Sequence, residues 1–250
     1  MKTFAIANQK GGVAKTTSVV NIGHALALAG KRVLLIDFDP QASLTVSLGF
    51  DPDSYENTIY NALRNETDLA SVIVTRAPFD FIPANLVMAD ADLTLGGKTG
   101  HEFRLAESLE AVSKKYDYCL IDCPPSLGVL TLNAFVAASH ILIPISADYL
   151  ATSGTGLLMR IYDDVKRYYN KTLKIGGVFV TKFDSRTVLA REVLALVSED
   201  FTKTALKTAI RKNIALAEAP AQGMTIFEYE PKSNGAADYS ALASEILKVK

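Results

Sequence analysis

Apolar residues along this chain follow two alternating rhythms. Short β-branched and aliphatic runs fall at 3–8, 32–37, 79–83, 117–122, 140–145 and 175–181. Between them apolar positions recur every three or four residues, at 16–28, 54–64, 102–115, 128–138, 154–169, 187–199 and 236–248. The short runs read as buried strands and the periodic stretches as amphipathic helices. Strand and helix in strict alternation predict an α/β fold, with a mostly parallel twisted sheet and helices on both faces. The segment 203–212 fits two patterns. As a helix it lines up Lys203, Lys207 and Arg211; as a strand it turns Leu206, Thr208 and Ile210 to one side. Residues 187–201 already make a helix of ordinary length, so a short strand over 205–210 is predicted. No linker, repeat or low-complexity tract interrupts the 250 residues, which predict one domain over 1–250.

Open parallel sheets bind ligands at the carboxyl ends of their strands, beside the first strand–helix turn. Here that turn reads Lys10-Gly11-Gly12-Val13-Ala14-Lys15-Thr16-Thr17. Paired glycines let backbone N–H groups point inward, and the following helix start adds unpaired donors and partial positive charge. Lys15 can reach terminal phosphates and the Thr16 hydroxyl suits Mg²⁺. The strict phosphate-loop pattern G-x-x-x-x-G-K-[ST] fails, because Gln9 and Ala14 stand at its glycine positions. What fits is K-G-G-x-x-K-T. Two lysines flanking a double glycine repel each other unless an anion lies between them.

Such a loop needs acidic partners to hold Mg²⁺ and orient water. One aliphatic run ends in Asp37-Phe38-Asp39-Pro40-Gln41, which puts two carboxylates on one side of a strand end. Another ends in Asp122-Cys123-Pro124-Pro125, a Walker-B-like close. A lone strand-end aspartate often just caps the next helix; three such segments in one chain make a constellation.

These segments resemble the ParA/Soj partition ATPases of the deviant Walker A group, to which MinD also belongs. The resemblance continues through 143–154, Phe183-Asp184-Ser185-Arg186-Thr187, 213–223 with its Glu218-Ala219-Pro220, and Tyr229-Glu230-Pro231-Lys232-Ser233 with Gly235 and Ala236, so it spans essentially the whole chain. It implies the P-loop ATPase fold and an ATP-switched homodimer that sandwiches two ATP molecules. Lys10 of each copy would reach across to the other's nucleotide. Lys15 would hold the β and γ phosphates, Gly11, Gly12, Val13 and Ala14 the cradle, Thr16 the Mg²⁺ and Thr17 the α-phosphate. Asp39 would orient the attacking water and, with Asp122, act on Mg²⁺ through water, while Asp37 would support Mg²⁺ and the loop. Adenine contacts would come from Thr181, Lys182, Arg211 and Asn213. The resemblance further implies nonspecific binding of double-stranded DNA in the ATP state, with Arg186, Arg191, Lys203, Lys207, Arg211, Lys212, Lys232, Lys248 and Lys250 as candidate contacts. It also implies a ParB-like or cargo-adaptor protein that stimulates weak hydrolysis, and a cytoplasmic, nucleoid-associated location.

The chain departs from the family in several places. Ala14 replaces a common glycine, which is tolerable if its φ is negative. Asp148-Tyr149 stands where Glu-Tyr is frequent, Thr152-Ser153 where Leu-Glu is frequent, and 210–213 lacks a frequent proline. Neither a separate DNA-reading domain before the loop nor a MinD-like membrane tail after 240 is expected.

Composition sharpens this picture. The net charge of −1 argues against binding DNA by bulk charge, but it is uneven. The first 150 residues carry 11 basic and 16 acidic side chains and the last 100 carry 15 and 11. Any single surface lysine is ordinarily just solvated. No stretch reaches the roughly 18 apolar residues of a membrane helix, and no signal peptide is expected before the first strand. Cys119 and Cys123 read as small core residues, and His24, His101 and His140 share no motif. A metal-carrying or MinD-like relative that does not act on DNA, and a scaffold that only senses nucleotide, stay open as alternatives.

Overall fold

A computed structural model describes the backbone of residues 1–97, 99–148 and 152–249, and the side chains of all of these except 152–154. The departures at Thr152 and Ser153, Tyr149 beside the departure at Asp148, and the candidate contact Lys250 lie outside the described residues and side chains. In chain order the elements are β1 (Lys2–Ile6), α1 (Lys15–Leu28), β2 (Val33–Asp37), α2 (Ser43–Ser47), α3 (Ile59–Leu63), β3 (Val74–Arg76), β4 (Phe79–Ile82), α4 (Ala91–Thr94), α5 (Arg104–Glu110), β5 (Tyr118–Asp122), α6 (Val129–Ala137), β6 (His140–Ser146), α7 (Thr152–Tyr168), β7 (Lys174–Thr181), α8 (Val188–Asp200), α9 (Ala215–Glu218), α10 (Ile226–Tyr229) and α11 (Asn234–Ile246).

The seven strands form one sheet in the order β3-β4-β2-β5-β1-β6-β7. Every pairing is parallel except β3 with β4. Strands β2, β5 and β6 are buried along their whole length, as a sheet covered on both faces requires. Successive residues feed opposite cores. Phe4 and Ile6 of β1 join Ile22, Leu26, Leu35 and Tyr239 beneath α1 and α11, while Ala5 joins Leu34, Ile36, Ile121 and Ile143 beneath α5 to α8. Helix α1 lies close on the sheet at Gly23, where an added Cβ would come within 2.5 Å of a Leu35 methyl. Cys119 and Cys123 are free and buried, and burial pushes both thiols up.

Local chemistry moved some expected boundaries. The stretch 54–64 is a 3₁₀ turn at Pro52–Ser54 followed by α3, because Thr58 and Asn61 form a capping box that starts a new helix. Helix α5 ends at Glu110, short of the expected 115. β3 is a three-residue edge strand too short to read from alternation. The segment 203–212 makes no continuous strand over 205–210: two isolated parallel bridges form, Ala205 with Val178 of β7 and Arg211 with Phe183 just past it. The N–H of Leu206 donates to Val178 and that of Ile210 to Val180, so four edge residues span two of β7 and the excess bulges out. The Glu245 carboxylate of α11 accepts the freed N–H groups of Lys207 and Thr208, each at 2.9 Å, and the Thr208 hydroxyl at 2.5 Å.

Among the described residues no helix is long and apolar enough to cross a membrane. Glu245→Ala is expected to lower unfolding stability by about 2 kcal/mol in denaturant titration, since three donors lose a charged acceptor. Amide exchange at Lys207 and Thr208 should rise with it.

Candidate nucleotide site

The loop after β1 is pinned at both ends. Asn8 donates its side-chain N–H to the Pro144 carbonyl at 2.8 Å and accepts the Lys10 N–H at 3.0 Å. At the other end the Thr181 hydroxyl lies 3.1 Å from the Val13 carbonyl and 3.3 Å from that of Ile145. Between these anchors Gly11 and Gly12 are exposed, an added Cβ on either would meet no atom within 4 Å, and Gly12 has φ +72°. Ala14 corrects an expectation. Its φ is +66°, in the left-handed region, not negative. The chain must reverse there to enter α1, and an L-residue in that conformation costs about 1–2 kcal/mol. No side chain caps α1, so its first N–H groups face the loop, as anion sites at helix starts require.

The acidic groups converge on the same end of the sheet. Strands β2 and β5 pair in register, which sets Asp37 beside Asp122. Both are buried. The Thr16 hydroxyl donates to Asp122 Oδ2 at 2.6 Å, while buried Asp122 Oδ1 has no hydrogen-bond partner. Lys15 is buried above them and donates to the Lys10 carbonyl at 3.3 Å. Burial lowers the Lys15 ammonium pKa, against the pull of Asp122, Cys123 and Asp39. Burial raises Asp122 well above the usual carboxylate range, and the neighbouring Asp37 adds to it. Asp37 is pushed up to about 7 by burial, despite the hydrogen bonds it accepts from Thr45 and Asp39. One lysine beside this cluster of carboxylates, with one carboxylate oxygen orphaned, suits an added divalent cation held by Thr16 and Asp122. Asp39, half-buried, accepts the Gln41 N–H at 3.0 Å.

A cleft of about 410 Å³ opens beside the loop, lined by Ala14, Thr17, Thr181, Lys182, Arg211 and Asn213 among others. The four residues expected to contact the base therefore share one wall with the loop. Their polar groups have other tasks too. Thr181 is fully buried with its hydroxyl on the Val13 carbonyl of the loop and the Ile145 carbonyl of β6. Arg211 forms a bidentate pair with Asp238, at 2.6 Å for the shortest contact. Asn213 caps the following turn through the Ala215 N–H. Lys182 has φ +54° and lies 3.9 Å from the Asp148 carboxylate.

The candidate DNA contacts do not form one face. Lys203, Lys207 and Lys248 line a cleft of about 720 Å³ with Lys174, at the amino ends of β6 and β7 and opposite the phosphate loop. Arg186 is bound by Asp184 beyond the carboxyl end of β7, and Arg191 donates to the Ser185 carbonyl nearby. Arg211 and Lys212 line the cleft of about 410 Å³ beside the loop. Lys232 is exposed on the turn before α11.

Fold and loop together place the chain among P-loop nucleotide-binding proteins. Residues 1–175 match the family described as an AAA domain. The chain is 42% identical over 247 residues to the sporulation initiation inhibitor protein Soj of Bacillus subtilis, covering 98% of both chains. It is 41% identical over 248 residues to the chromosome-partitioning ATPase Soj of Treponema pallidum, covering 98% of this chain and 97% of that one. The solved structure of cobyrinic acid a,c-diamide synthase from Mycobacterium smegmatis with bound ATP analog and magnesium matches with TM-score 0.89 at 37% identity, covering 99% of this chain and 95% of that one. The chain belongs to the Soj/ParA family of chromosome-partitioning ATPases.

Relief of the strain at Ala14 is measurable. Ala14→Gly is expected to raise unfolding stability by about 1 kcal/mol, or roughly 2–4 °C in Tm for a chain of this size, in thermal unfolding without nucleotide.

Proposed function

We propose that this chain is an ATP-hydrolysing switch that dimerises around ATP, holds nonspecific double-stranded DNA in that state, and so positions a cargo such as a plasmid, a chromosome origin or a large protein assembly. The observation that carries the reading is the meeting of Lys15 and Thr16 over Asp122, beside a loop that adds Lys10. Glycine N–H groups of the loop bind phosphate oxygens, Lys15 holds the β and γ phosphates, and Thr17 lies at the α-phosphate. Thr16 and Asp122 hold Mg²⁺, the aspartate through water. The metal, when bound, offsets charge on the β and γ oxygens. Asp39 orients the water that attacks the γ-phosphorus, the bond to the β–γ bridging oxygen breaks, and ADP and phosphate form. Lys10 reaches the nucleotide of a second copy and counters charge on the transferring oxygens. Thr181, Lys182, Arg211 and Asn213 wall the base.

Family membership and the lysine-lined cleft at 203–207 support the DNA reading. Dimerisation doubles a modest patch, and several phosphate contacts give a salt-sensitive affinity. Slow turnover by the isolated protein, stimulation by a ParB-like or adaptor partner, and a cytoplasmic, nucleoid-associated location complete the proposal. The metal-carrying alternative needs cysteines at a surface, whereas Cys119 and Cys123 are packed in the core.

The test is one set of measurements on the full chain. Asp39→Ala is expected to bind ATP like the parent, turn it over at least about tenfold more slowly, and retain unrelated DNA duplexes in gel shifts at low salt. Adding Lys203→Glu and Lys207→Glu should abolish the shift and leave ATP binding unchanged. Parental turnover by Asp39→Ala, or no shift with ATP at low salt, would overturn the reading.

A further inference from the structure

The turn that carries Asp39 is bracketed by a single buried carboxylate. At its entry Asp37 Oδ1 accepts the Asp39 N–H at 3.4 Å. At its exit Asp37 Oδ2 accepts both the N–H and the hydroxyl of Thr45, each at 2.8 Å. Between these points the chain turns tightly: the Ala42 N–H donates to the Asp39 carbonyl at 2.9 Å, and Ala42 has φ +53°. The Thr45 oxygen also accepts the Ala84 N–H at 3.3 Å, just past β4. Asp37, Thr45 and Ala84 are all fully buried. The far end of α2 is held as well. Gly49 and Gly223 both have positive φ, and a Cβ on Gly223 would come within 2.7 Å of the Gly49 Cα.

Helix α2 is therefore fixed at both ends, and residues 39–42 hang between the two oxygens of Asp37. The hydroxyl of Thr45 is the joint. It donates to Asp37 and accepts from the neighbouring strand's end, which fixes the carboxylate's rotation as well as its position. We infer that Thr45 is a positioning residue for hydrolysis: through Asp37 it sets where the Asp39 carboxylate points. This rests on the reading of Asp39 as the residue that orients water. It also gives Asp37 a mechanical task in the turn at 39–42, one that no phosphate or metal contact requires.

Thr45→Val keeps the shape, the β-branch and the backbone N–H, and removes only the hydroxyl. It is expected to lower kcat about tenfold with KM for ATP and affinity for ADP within about twofold of the parent, while Thr45→Ser recovers the parental kcat. In an Asp39→Ala background Thr45→Val should cause no further loss, because the two act as one unit. If Thr45→Val does not fold, Thr45→Ala carries the same test. Parental kcat in the hydroxyl-less variant, equal loss with serine, or an additive loss in the double variant would overturn the inference. With Asp39→Ala inactive, any of these overturns the role of Thr45 alone. Parental turnover by Asp39→Ala overturns both.

Discussion

The structure depends on two carboxylates buried side by side. Strands β2 and β5 end in register, so Asp37 and Asp122 sit next to each other at the carboxyl edge of the sheet with almost no access to water. Burying neighbouring like charges is unfavourable unless each finds donors or cations. The chain meets that constraint in two ways. Asp37 is occupied by α2, through Thr45 and the Asp39 N–H. Asp122 is half-occupied, by Thr16, and keeps one buried oxygen without a partner. The first arrangement makes a clamp and the second a place for a cation. On the proposed reading, this asymmetry separates the task of holding the turn at 39–42 from the task of binding the metal.

The loop above them stores strain instead of charge. Gly12 and Ala14 both take left-handed backbone, and only the glycine does so cheaply. Anchors borrowed from β6 and β7, through Asn8 and Thr181, hold that shape from outside the loop. The cleft beside the loop and the loop itself therefore share a residue, since Thr181 lines the one and supports the other.

Much of this was legible in the chain itself. Strand runs ending in Asp37 and Asp122, and a double glycine opening a helix, carry their meaning in composition and spacing, because a covered parallel strand and a phosphate cradle each admit few residue types. The φ of Ala14 was not legible, since residue type states a preference and the loop's anchors overrode it. Thr45 was invisible for another reason. It sits in a five-residue helix with no apolar period, and its partner lies eight positions away across a turn. The bulge at 207–209 depended on Glu245, far away in α11, and no local pattern encodes that. The basic candidates were legible only as charge. Their division among an amino-end cleft, the cleft beside the loop and the β7 exit follows from topology.

A nucleotide site built this way serves a switch well. On the proposed reading, a bound cation compensates the buried carboxylates, and the clamp on α2 holds the turn that meets the γ-phosphate. On the same reading, the added Lys10 makes that switch a property of two chains. Sedimentation of Asp39→Ala, with and without Lys10→Ala, in ATP and in ADP tests this most directly. The account predicts a doubled mass for Asp39→Ala in ATP alone, and a single mass for the Lys10→Ala form although it still binds ATP. A doubled mass with Lys10→Ala in place would contradict it.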